Sequence, residues 1–272
     1  MELGFARPKA QSPKPKAQSL VQFTSVEPAP PITEPPTGVP VLERVAAAGE
    51  VLLCSGFPTQ LFIIAILALF GVRLQRADGG YNAPYIFALT LADTVLLTLL
   101  IWGFLRARRE SFRDVLFGAR SIGVEALIGV FLVPAALLIV LFVLVLLKAV
   151  APSLHNVAHN PLADLARTRA QAIVFVLVVM IAGGVREEIQ RGFILHRFEQ
   201  FLGGGATGIV VFSLLFGLGH LEQGRDVALA TAVLGAFWGV LYLRRRSIAA
   251  PMVSHAGFNL LQVLNFLAGG AG

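Results

Sequence analysis

Three short stretches set ionisable and amide side chains inside otherwise apolar sequence. Glu187, Glu188 and Arg191 follow "AIVFVLVVMIAGGV", His220 ends "GIVVFSLLFGLGH", and His255 and Asn259 lie in "PMVSHAGFNLLQVLNF". A charged side chain at a bilayer centre costs about 2.5–3.5 kcal/mol even on the gentler insertion scales. Retaining several in one half of a chain implies that they pair or line a wet cavity. Spacing groups them further: Glu187 and Arg191, Phe216 and His220, and His255 and Asn259 are each four residues apart. Each pair therefore shares a helix face. Three helices can aim a carboxylate, an imidazole, and an imidazole with an amide at one point.

Those groups are what peptide hydrolysis requires. A glutamate in a low-dielectric pocket suits a general base for water. An imidazole can share that water's proton and later protonate the leaving amine. A histidine and an asparagine can donate hydrogen bonds to the developing oxyanion. No nucleophilic serine or cysteine is needed. Each residue also has a plain structural explanation. A glutamate and an arginine four apart form a helix-face pair worth about 0.2–0.5 kcal/mol, and a lone histidine can simply cap a helix. The combination argues for chemistry.

The elements that must carry these residues follow from composition. Of the 272 residues, 56% are hydrophobic and 14% charged, against about a quarter charged in a soluble domain. The deficit points to a chain solvated mostly by lipid. Its net charge of +6 does not imply nucleic acid, because the basic residues sit between apolar runs rather than along one polar face. Cys54 is the single cysteine, so neither an intrachain disulfide nor a multi-cysteine metal site can form.

Residues 1–45 hold nine of the fifteen prolines and repeat "PKAQS". They read as a disordered Pro-rich tail. Residues 46–272 read as an all-α, polytopic transmembrane helix bundle of about seven helices. The apolar runs fall near 50–72, 84–105, 124–150, 170–185, 205–220, 227–243 and 248–268. The first three are long enough to span; the last four, glycine-rich and polar in places, resemble helices packed around a cavity. With the tail in the cytosol, that side carries 16 of the 22 Lys and Arg residues. This predicts an integral protein of the plasma membrane with a cytosolic N-terminus. The stretch 105–123 reads as a basic interfacial segment that anchors topology.

The ordered trio of Glu187-Glu188 with Arg191, then "FGLGH" (Phe216 to His220), then "HAGFN" (His255 to Asn259) resembles a known family. It is similar to the CAAX protease and bacteriocin-processing family, CPBP or Abi, of intramembrane glutamate endopeptidases. The likeness covers about 170–268. It implies that Glu187 and His220 activate water, His255 and Asn259 form the oxyanion hole, and Arg191 orients the glutamate pair, with Phe216 in support. It further implies no cofactor and a membrane-associated protein or peptide substrate, CAAX-type and prenylated in the eukaryotic branch, cut near its C-terminus.

One motif departs from the family pattern, which spaces its glutamates and arginine as E-E-x-x-x-R. Here only Ile189 and Gln190 intervene. Aligned on Arg191-Gly192, Arg186 stands where the first glutamate belongs; aligned on the glutamates, Glu187 is the base. An arginine cannot act as base, which favours Glu187, with Glu188 the alternative. Three other readings stay open. A zinc metalloprotease could use the two histidines and a glutamate, although HExxH is absent. A non-catalytic immunity or scaffold protein could use the same cavity. A proton-coupled transporter would draw on Asp93 and Glu125.

Overall fold

Every apolar run forms helix, and no strand occurs among the residues described by the computed structural model, 38–77, 79–157 and 161–269. In chain order the described α-helices are α1 (Val41–Leu53), α2 (Phe57–Leu69), α3 (Ala83–Ala107), α4 (Phe112–Phe117) and α5 (Ile122–Val150). There follow α6 (Arg169–Val179), α7 (Glu187–Phe201), α8 (Gly204–Leu218), α9 (Arg225–Arg245) and α10 (Ala249–Gly269). Between α6 and α7 the chain stays helical but widens to a π-turn over Met180–Arg186.

The expected count of about seven helices is refined to ten among the described residues. The run 50–72 breaks because Gly56 adopts φ +90° and Pro58 opens the next helix, a left-handed residue and a proline suited to a first helical turn. The resulting α1–α2 pair bends by 45°. Residues 1–37 of the expected tail lie outside the described residues, and helix begins at Val41, inside the expected tail boundary at 45. Among the described residues, α3, α4 with α5, and α9 are long and apolar enough to cross a membrane, and the bent pair makes a fourth.

Helix starts follow local chemistry. Asn82 accepts from the Tyr85 amide at the start of α3, and Ser111 from the Asp114 amide at α4. Thr168 and Gln171 form a reciprocal capping box at α6. The glycines before the motif do not end a helix. Gly183 and Gly184 lie within the π-turn, where a Cβ on the first would collide with Asn259 and on the second with Ala256. Their lack of side chains is what lets α10 lie against the turn. Gly203, at φ +99°, does separate α7 from α8.

The far half of α7 is clamped by charge. Arg197, wholly buried, donates to Glu50 at 2.5 Å and Glu110 at 2.6 Å, while Arg108 donates to Glu50 at 2.6 Å and Glu43 at 2.9 Å. Arg108 and Glu110 in the 105–123 stretch are thus structural ion-pair partners, more than the expected topology anchor. Burial of Glu110 opposes its ionised form, yet hydrogen bonds from His196, Gln200 and Arg197, with the charge of Arg197, hold its carboxyl down to about 2. Glu125 and Arg245 form a two-point pair at 2.5 and 2.7 Å that ties α5 to α9. Around these, Leu97, Ile101, Leu105, Phe193 and Leu195 form the fully buried centre of the apolar core.

Candidate active site

The glutamates lie where the π-turn returns to α-helix, and α7 presents them differently. Glu188 is fully buried; Oε1 accepts from Arg191 Nη1 on the next turn and lies 2.8 Å from His255 Nδ1. Glu187 is one residue earlier, about 100° round the helix, and lines a chamber of about 750 Å³. Its Oε2 is 3.7 Å from His255 Nε2. The imidazole of His255 therefore spans the two carboxylates.

Arg191 bonds Glu188 and not Glu187, so the i,i+4 pair suggested by spacing gives way to an i,i+3 pair. Its guanidinium carbon lies 5.1, 5.0 and 5.5 Å from the ring centres of Phe212, Phe216 and Trp238. The aromatic faces compensate electrostatically for a buried cation two of whose nitrogens, Nε and Nη2, lack a hydrogen-bond partner among the described residues. Phe216 is the hub of the site. Its ring also stands edge-on to His220 at 5.0 Å and to His255 at 6.1 Å.

His220 follows the end of α8 and lines the same chamber as Glu187. Its Nδ1 lies 2.8 Å from the Phe216 carbonyl oxygen. A carbonyl only accepts, so in the neutral ring Nδ1 carries the proton and Nε2 keeps its lone pair. Asn259, one turn after His255 on α10, also lines the chamber and donates through Nδ2 to the Val179 carbonyl at 3.3 Å. That carbonyl belongs to the residue just before the π-turn, so the turn and the amide are positioned together.

The expected residues Glu187, Glu188, Arg191, Phe216, His220, His255 and Asn259 thus form one cluster. Five of the seven, Glu187, Phe216, His220, His255 and Asn259, line the chamber. One contributor, Trp238, escaped the sequence reading. Trp238 stacks on His255 with ring centres 3.8 Å apart and donates Nε1 to Ser254 at 3.2 Å. Its sequence, "GAFWGV", carries no ionisable group to flag it. Asp93, noted for a transport pathway, instead pairs with Arg186 at 2.5 Å and accepts from Thr59 at 2.5 Å. Among the described residues no three of His, Cys, Asp and Glu come together as a metal-ligand group.

A membrane-embedded helix bundle enclosing a chamber of carboxylate, imidazole and amide groups has the make-up of an intramembrane hydrolase. Residues 169–261 match the family model described as Type II CAAX prenyl endopeptidase Rce1-like, a segment that contains all three motifs. The resemblance to the CAAX protease family is borne out over this segment. No curated protein and no solved structure matches the chain.

Proposed function

We propose that the protein is a cofactor-independent intramembrane glutamate endopeptidase. It hydrolyses a peptide bond near the C-terminus of a membrane-associated, CAAX-type protein or peptide. It acts in the plasma membrane with its N-terminus in the cytosol. The observation that carries the reading is the division of labour between the glutamates. Glu188 is sealed off and bonded to Arg191 and His255, whereas Glu187 opens onto the chamber with His220.

In this mechanism Glu187 takes a proton from water as the water oxygen attacks the scissile carbonyl carbon. His220 Nε2, with its lone pair free, accepts the water's second hydrogen as a hydrogen bond and holds the nucleophile in line. The carbonyl π pair moves onto oxygen, where Asn259 Nδ2–H stabilises it. His255 joins the oxyanion hole when Nε2 is protonated, because its Nδ1–H already serves Glu188. Such an imidazolium lies between two carboxylates. Collapse of the tetrahedral intermediate reforms the carbonyl and breaks the C–N bond. The proton held by Glu187 passes to the leaving amine. Arg191 and Glu188 position His255, and Trp238 fixes its ring plane.

The test uses the full chain reconstituted in lipid, with prenylated and unprenylated CAAX-type peptides and mass spectrometry of the products. The wild type releases a C-terminal fragment, and Glu187→Gln and His220→Ala each lower kcat by about 10²–10⁴. Stoichiometric zinc lost together with activity would reassign the site to a metalloprotease. Cellular phenotypes unchanged by Glu187→Ala, Glu188→Ala and His220→Ala would remove hydrolysis as the function.

A further inference from the structure

Arg186 has no role in the mechanism above, yet it stands next to the proposed base in the chain and is nine-tenths buried. An ionisable group retained inside a membrane bundle calls for a function or a partner. Its charged partner is Asp93: Nη2 donates to Oδ2 at 2.5 Å. The rest of its fork is weakly used. Nη1 reaches only the neutral amide oxygen of Gln190, at 3.4 Å, and Nε has no partner among the described residues. A guanidinium offers five N–H donors and binds a carboxylate through two of them at once.

The surroundings hold this cation in place from three helices. Asp93 comes from α3, and is itself fixed by Thr59 of α2. Gln190 comes from α7 and is anchored through Nε2 to the Cys54 carbonyl at 2.7 Å. At the α1–α2 bend Gly56 leaves room for the group, since a Cβ there would collide with Nη2. The bend that divides the first apolar run is therefore also the cradle of this guanidinium.

Its location is more telling still. A second cavity of about 220 Å³ adjoins the chamber, and Gln60, Arg186, Glu187, Phe216, Gly219 and His220 line both. The proposed base and its histidine are thus on the wall common to two compartments of unequal size. Arg186 is the one Lys or Arg among the described residues lining either compartment.

We propose that Arg186 is a specificity residue that receives the substrate's terminal carboxylate. The scissile bond lies at Glu187 and His220, and the short leaving peptide points its C-terminal carboxylate at the guanidinium. An extended tripeptide spans about 10 Å, and side chains rising from adjacent residues bring base and cation within that span. The carboxylate displaces the long Gln190 contact while Asp93 keeps the fork oriented. The site thereby measures the distance from the cut to the chain end and selects C-terminal substrates over internal sequence. This assignment rests on the proteolytic reading above.

The experiment compares matched peptides ending in a free carboxylate or a carboxamide, in prenylated and unprenylated forms, on the reconstituted full chain. The wild type favours the carboxylate about 10- to 100-fold in kcat/KM, the range expected of a charge-assisted hydrogen bond, with most of the difference in KM. Arg186→Gln brings the two values together, and Arg186→Lys restores part of the preference. Equal cleavage of both ends by the wild type, or a preference that persists in Arg186→Gln, overturns the assignment and leaves the protease reading standing. Cleavage of neither peptide by the wild type removes both. Should Arg186→Gln fail to fold, the wild-type ratio alone decides.

Discussion

Replacing Gly183 with alanine tests how closely the π-turn and α10 position the site. Gly183 is not among the glycines of positive φ, so its backbone accepts alanine. The added Cβ would stand 3.4 Å from Asn259 Cγ and 3.8 Å from His255 Nε2, and would collide with Asn259 Nδ2. Carbon contacts are optimal at about 3.5–4.0 Å, so the amide must retreat by roughly an ångström or more. A misplacement of that size costs about 10²-fold, and losing an oxyanion donor outright costs about 10²–10³ in kcat. Stability changes less. Alanine in a helical interior gains about 0.5–1 kcal/mol over glycine, against about 1–3 kcal/mol for crowding a packed site. Gly183→Ala should therefore remain folded, with Tm lowered by a few degrees, while kcat on a cleaved CAAX-type peptide falls about a hundredfold and KM changes little. Circular dichroism melts and steady-state kinetics in the same lipid decide it. A folded Gly183→Ala protein with wild-type kcat would refute the reasoning.

The two glutamates should separate activity from stability. Glu187→Gln lowers kcat by about 10²–10⁴ and leaves Tm near wild type, because Glu187 faces the chamber. Glu188→Gln strands Arg191 in a fully buried position and should cost about 3–5 kcal/mol, seen as a fall in denaturation midpoint. Glu110 sets an acid limb: its folded value of about 2 lies below the ordinary 4.5. Its stabilisation is complete above about pH 4.5 and is lost as pH falls toward 2; Glu110→Gln should flatten this part of the stability–pH curve. Treatment with a zinc chelator should leave peptide cleavage unchanged, and loss of activity restored by added zinc would contradict the proposed base.

The sequence made the chemistry-bearing residues legible because polar groups in apolar runs are conspicuous. The motifs on α7, α8 and α10 do meet, and the all-α membrane architecture followed from composition. What it concealed were rotations and partners. Whether Glu187 or Glu188 faces the chamber depends on the phase of α7, set by a π-turn whose sequence, "MIAGGVR", looks like any apolar helix end. Arg191 lies within reach of either glutamate by spacing alone, and only tertiary packing of Phe212, Phe216 and Trp238 around it selects the i,i+3 pair. Trp238 and Asp93 reach the site from α9 and α3, far away in sequence. The break at Gly56 was hidden in an apolar run that hydropathy alone reads as continuous.

The most direct measurement is a structure of the lipid-reconstituted protein bound to a peptide ketone, whose hydrated carbonyl mimics the tetrahedral intermediate. The account predicts one hydrate oxygen within about 3 Å of Glu187 and His220, and the other within about 3 Å of Asn259 and facing His255. A hydrate seated elsewhere in the bundle, or one approached by Glu188 with Glu187 turned away, would contradict it.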